Sequence, residues 1–125
     1  MEKYRKRLGT KGEELAEQYL KNKGFEILER NYRYKRKEID LIARDRNTIV
    51  FVEVKTGKSK KFGQPWEKVD WRKQKRIIEV AQAFLCENNF LDCDFRFDVL
   101  AIDLEKKENR INHIENAFVL EGDTI

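Results

Sequence analysis

From Leu15 to Leu20 the apolar positions repeat at helical spacing, with Leu15, Ala16, Tyr19 and Leu20 on one face. The stretch "TKGEELAEQYLKNKG" therefore predicts a helix. Thr10 is placed to cap it, Glu13 to complete a capping box three residues on, and Gly24 to end it. The period then falls to two. "FEILERNYRY" predicts a strand with Phe25, Ile27 and Glu29 on one side, while Tyr32 and Tyr34 imply a change of phase or a bulge near Asn31. Two further strands follow at about 37–45 and 48–56. "WRKQKRIIEVAQAFLCENN" predicts a second helix with Ile77, Ile78, Ala81, Phe84 and Leu85 as its buried stripe. "CDFRFDVLAIDL" and "RINHIENAFVL" predict the last two strands. The order α-β-β-β-α-β-β describes an α/β domain, a mixed sheet flanked by helices.

Charge interrupts this pattern in one place. "EIDLIARDRNTIVFVEVK", Glu38 to Lys55, alternates like a hairpin but sets Glu38, Asp40, Glu53 and Lys55 among Ile, Val, Leu and Phe. Alternation puts Glu38, Asp40 and Ile42 on one face, with Ile39 and Leu41 on the other; Phe51, Glu53 and Lys55 share a face opposite Val52 and Val54. A two-residue turn at Arg46-Asn47 pairs residues whose numbers sum to 93, so Asp40 falls opposite Glu53 and Glu38 opposite Lys55. Directly opposed side chains have Cβ atoms ~4.5–5.5 Å apart, so the two carboxylates repel unless a positive charge lies between them. Two readings are open. One is a Mg²⁺ or Mn²⁺ site held by Asp40 and Glu53, with Lys55 beside it to orient a water or offset phosphate charge. The other is a cross-strand charge ladder with Glu38–Lys55 as one rung.

Composition narrows the partners. The chain has 125 residues, 40% hydrophobic and 40% charged, the size of one domain with a modest core and an ionic surface. No apolar run reaches the ~20 residues that span a bilayer, and the N-terminal stretch has no apolar core of a secretory signal, so no membrane role is expected. Two cysteines, Cys86 and Cys93, and one histidine give no metal-binding spacing. These features predict a reduced, cytoplasmic protein. The net charge of +4 is unevenly spread: +4 over residues 1–54, +7 over 55–76 and −7 over 77–125. A local +7 following directly on the charged hairpin suits a polyanion such as nucleic acid.

The same residues carry a resemblance. "EIDLIARDRNTIVFVEVK" resembles the core of the PD-(D/E)XK restriction-endonuclease-like nucleases, where an acid ends one strand and Glu-X-Lys lies on the next. Together with "GTKGEELAEQYLKNKGFEILERNYR", "FGQPWEKV", "KQKR", "RFDVLAI" and "ENAF" it is most similar to the YraN-like family, which resembles Holliday-junction resolvases. The resemblance spans roughly Leu8 to Val119. It implies a restriction-endonuclease-like fold, with Asp40 as the motif acid, Glu53 and Lys55 as the Glu-X-Lys, and Glu13 as an additional acid from the first helix. Two positions depart from the pattern: Ile39 stands where the superfamily has proline, and Gly57 where relatives often have arginine.

The supporting residues follow. Glu13 lies at the edge of the first helix's apolar stripe while Glu14 points away, so Glu13 is either a capping residue or a site acid. Gln74 sits one turn before Ile77 and Ile78, placed to contact the carboxylates or to bond backbone. Lys58, Lys60 and Lys61 in the loop, with Lys73, Lys75 and Arg76 on the second helix, are expected to track phosphates, although tertiary carboxylates could also satisfy the three on the helix. Arg96 and Asp98 share a strand face and can pair; His113 and the cysteines read as structural. The resulting expectation is a Mg²⁺- or Mn²⁺-dependent endonuclease acting on DNA rather than RNA, branched DNA included, with a homodimer helping so small a chain span a junction. The alternative is a non-catalytic nucleic-acid-binding module on the same fold.

Overall fold

The computed structural model describes residues 2–57, 71–104 and 110–118, the side chains of 2–10 and Arg110 excepted. The elements are α1 (Glu2–Asn22), β1 (Glu26–Tyr34), β2 (Lys37–Asp45), β3 (Thr48–Gly57), α2 (Trp71–Glu87), β4 (Asp94–Asp103) and β5 (Arg110–Phe118). This is the α-β-β-β-α-β-β order read from the sequence. The sheet is mixed and runs β1-β2-β3-β4-β5. β1, β2 and β3 are antiparallel neighbours, β3 and β4 are parallel, and β5 returns antiparallel to β4. The parallel pair needs a crossover, which contains α2.

Each face of the sheet is covered by one helix. Under α1, Ala16, Leu20 and Phe25 pack on Leu41, Ala43, Val50, Val52, Leu100 and Ile102. Under α2, Ile77, Val80, Ala81, Phe84 and Leu85 pack on Ile42, Ile49, Phe51, Phe97 and Val99. With both faces covered, the inner strands read as near-continuous apolar runs. Phe51 sits at the centre of the α2 side, stacked on Phe97 with ring centroids 5.5 Å apart and meeting Phe84 edge-on at 6.1 Å.

Both helices end in the same way. After α1, Phe25 N–H donates to the Leu20 carbonyl and Gly24 N–H to that of Lys21 (both 2.9 Å), with Gly24 at φ 93°. After α2, Phe90 N–H donates to Leu85 (2.9 Å) and Asn89 N–H to Cys86 (3.4 Å), with Asn89 at φ 59°. These are Schellman ends, and in each the residue after the left-handed position packs back on the helix it closes.

Four local expectations are corrected. The first helix starts at Glu2, so Thr10 is an interior residue and the Thr10–Glu13 capping box is not formed. On α2 the fully buried stripe includes Val80, while Ile78 is only partly buried. The β1 register shift lies between Ile27 and Glu29, ahead of Asn31; Asn31 itself takes a left-handed φ of 52°. Finally, Ile39 packs with Ile42 on the α2 side instead of with Leu41, so the alternation of β2 changes phase at Asp40.

Candidate functional site

The β2–β3 register is the predicted one. Leu41 pairs with Val52, and every pair down to Asp45–Thr48 sums to 93. Arg46, in the turn, adopts the left-handed φ of 58° that such a short hairpin demands. The ladder stops at Leu41–Val52, one step short of Asp40 and Glu53. There Asp40 turns its carboxylate onto the neighbouring strand: Val54 N–H donates to Asp40 Oδ2 at 2.8 Å. Asp40 and Glu53 remain close enough for each charge to act on the other.

The electrostatics follow from that proximity. Burial first, and then the facing charge of Glu53, push the Asp40 carboxyl up to about 8; the Val54 amide opposes this only in part. Glu53 is itself buried, at 7% exposure, and Lys73 of α2 reaches it as an ion pair. Burial weakens the Lys73 charge, but the hydrogen bond and negative charge of Glu53 outweigh it and raise its pKa. Lys55, two residues beyond Glu53, moves the other way: burial and then the neighbouring Lys73 ammonium lower it, against the pull of Glu53 and Asp40.

Glu13 completes the group from α1. Burial raises its pKa, a hydrogen bond from Asn31 opposes the rise, and the charges of Glu38 and Glu53 add to it. Glu13 also acts on Asp40. Its position depends on Gly12: a Cβ there would overlap the Thr56 methyl of β3. The missing side chain lets α1 approach the end of β3 and brings Glu13 over the strand ends. Strand ends of β2 and β3, one helix above and one below, thus converge on a single cluster of two carboxyls, a third acid and two lysines.

Comparison with known proteins places this geometry in a family. Residues 12–102 match the family model described as "Uncharacterised protein family UPF0102". A UPF0102 protein of Alkaliphilus oremlandii is 50% identical over 115 residues, covering 90% of this chain and 98% of the relative. One from Caldanaerobacter subterraneus subsp. tengcongensis is 46% identical over 117 residues, 91% and 96% of the two chains. One from Clostridioides difficile is 49% identical over 113 residues, 90% and 97%. The chain belongs to the UPF0102 family. This is the YraN-like family indicated by the sequence motifs, and its matched span contains every member of the carboxylate cluster.

Within this UPF0102 fold the other predicted residues separate. Glu38 ion-pairs with Arg33, its cross-strand neighbour on β1, at 3.4 Å; the anticipated Glu38–Lys55 rung is replaced by this pair. Lys73, expected on phosphates, is instead ion-paired with Glu53. Gln74 is half-buried beside it; Lys75 and Arg76 are exposed on the same turn. Lys58, Lys60 and Lys61 lie outside the described residues. Arg96 pairs with Asp98 at 3.0 Å, as anticipated, and His113 Nε2 lies 2.7 Å from the same carboxylate. One contributor escaped the sequence reading: Asn31, whose left-handed backbone was visible only as a broken strand pattern. Among the described residues no three His, Cys, Asp or Glu side chains are grouped closely enough to form a metal site by themselves. No helix among them is long and apolar enough to cross a membrane.

Proposed function

We propose that this UPF0102 protein is a divalent-cation-dependent endonuclease acting on DNA, branched DNA included, with Asp40 and Glu53 holding Mg²⁺ or Mn²⁺. The observation that carries the reading is the Asp40–Glu53 pair. Burial and the charge of Glu53 both disfavour an ionised Asp40, half-buried beside the buried Glu53, and a hard cation with oxygen ligands would offset the charge that the two acids carry together. When bound, the cation would supply Lewis-acid stabilisation of phosphate charge. The chain's own residues do the rest. Val54 N–H fixes the Asp40 carboxylate, Asn31 holds Glu13 at the rim, and Lys73 anchors Glu53. Lys55, its pKa lowered, is suited to hold and release a proton at an attacking water. The resemblance to the PD-(D/E)XK nucleases supports the same roles.

A second reading is favoured by the Glu53–Lys73 ion pair, which satisfies one acid without any cation. On that reading the domain binds nucleic acid and cuts nothing. A panel of linear and branched DNA and RNA, incubated with Mn²⁺ or with EDTA, separates the two. Metal-dependent cleavage is expected, falling to background in Asp40→Asn and Glu53→Gln and by roughly 10²- to 10⁴-fold in Lys55→Ala. Parent and carboxylate variants cleaving equally would assign the activity to a contaminant. Binding without cleavage anywhere on the panel would establish the binding module.

A further inference from the structure

Beside the carboxylates, on the α2 side, lies an open groove of about 420 Å³. The β1–β2 turn and the first turns of α2 line it with Lys35, Arg36, Lys37, Lys73 and Arg76 against the single acid Glu38. Lys37 is engaged with Glu79, Lys73 with Glu53 and Glu38 with Arg33. Among the described residues Arg36 and Arg76 form no ion pair.

The turn itself is an anomaly. Lys35 and Arg36 both have left-handed backbones, φ 49° and 68°. A two-residue hairpin turn with both central residues at positive φ is ordinarily built from Asn-Gly or Asp-Gly. Each side chain bearing a Cβ costs ~1–2 kcal/mol in that conformation. Lys35 lies over the Tyr34 ring, 5.3 Å from its centroid, a contact that offsets only part of this cost, and both side chains line the groove. Residues held in unfavourable backbone at a surface point to a function for their side chains.

We infer that this groove is a phosphate clamp for a nucleic-acid backbone, with Lys35, Arg36 and Arg76 gripping the strand at a set distance from Asp40. It rests on the reading above in taking nucleic acid as the polyanion. Arg36 precedes Asp40 by four residues, about 13 Å of extended chain at ~3.3 Å per residue. The guanidinium groups suit this task because they meet phosphate oxygens in pairs.

The test is metal-free binding of a DNA duplex to the full chain across a salt series. The double variant Lys35→Asn/Arg36→Gly restores a favoured turn, so its melting temperature should rise while the slope of log K against log salt falls by roughly two units. Arg76→Gln should remove about one more. Arg46→Gly is the control: it relieves the same backbone conformation at the far end of β2 and should leave the slope unchanged. An unchanged slope in the double variant, an equal loss in the Arg46 control, or a parent that binds no duplex would each overturn the clamp. The two proposals fail separately. Cleavage through Asp40 with an unaltered slope removes the clamp alone, and a reduced slope without cleavage leaves the clamp and removes the catalytic reading.

Discussion

Replacing Asp40 by asparagine keeps the acceptor for Val54 N–H and removes one ionisable oxygen. The consequence depends on pH in a defined direction. A carboxyl whose folded pKa is raised binds its proton more tightly folded than unfolded. The stability this lends is fully present below the unfolded value near 4 and is lost as pH climbs through about 8. Asp40→Asn does not titrate, so parent and variant should melt together near pH 4. By pH 9 in EDTA the variant should be the more stable by at least ~1 kcal/mol, the equivalent of a single pKa unit. Thermal melts at the two pH values decide it; an equal gap at both would mean that Asp40 ionises without cost. Saturating Mn²⁺ at pH 8 should raise the melting temperature of the parent and not of the variant, because only a ligand of the native state stabilises by mass action.

The elements were legible where one rule governed them. Strand periodicity with a two-residue turn at Arg46-Asn47 is enough for the β2–β3 register, since a one-residue slip would move Phe51 from the α2 face to the α1 face. Gly24 ended α1 as its chemistry required. The start of α1 was misjudged because Thr10 followed by Glu13 satisfies a capping rule that the longer helix overrides. Ile39 was assigned to the wrong face because alternation assumes a straight strand, and β2 changes phase at Asp40 opposite the left-handed Asn31. The pairing of Lys73 with Glu53 joins residues 20 positions apart across the crossover, a contact that no local pattern encodes. Phe51 shows how strongly the sheet depends on one position. It is wholly buried among Phe84 and Phe97, so Phe51→Ala should cost about 3–5 kcal/mol in denaturant unfolding, and Phe51→Leu markedly less.

For the molecule as a whole, two acids, half-buried Asp40 and buried Asp98, oppose each other in their response to pH. Asp98 is buried between β4, β5 and α1. Burial disfavours its charge, but His113, Arg96 and the Asn116 amide together hold its pKa below the ordinary value. His113 extends the network to α1, where its Nδ1 lies 3.3 Å from the Tyr19 hydroxyl. A depressed carboxyl contributes stability above its unfolded pKa and loses it as pH falls through the folded one. Asp98 therefore penalises acid and Asp40 penalises alkali. In EDTA these two groups together should place the highest melting temperature near pH 4 and lower it steadily toward pH 8, and Mn²⁺ should flatten that fall. A profile that is flat from pH 5 to 9 in EDTA would contradict the Asp40 half of this account. Asp98→Ala, by stranding Arg96 and His113, should cost about 3–5 kcal/mol at neutral pH.

A helix is a screw, and its advance and its rotation cannot be adjusted separately: each residue moves ~1.5 Å along the axis and turns ~100° around it. α1 is threaded between two fixed points, the close approach of Gly12 to Thr56 and the left-handed stop at Gly24. Between them the angular heading of Glu13 is set. Lifting the helix by the radius of one methyl group, as Gly12→Ala would, leaves that heading unchanged but withdraws Glu13 from Asn31. Removing one residue of α1 between Gly12 and Gly24 instead shifts Glu13 ~1.5 Å along the axis and swings its carboxylate ~100° around it. The same acid can thus be lost outward from the sheet or by turning about the axis, and the chain guards against the first with a hydrogen atom where every other residue type carries a carbon.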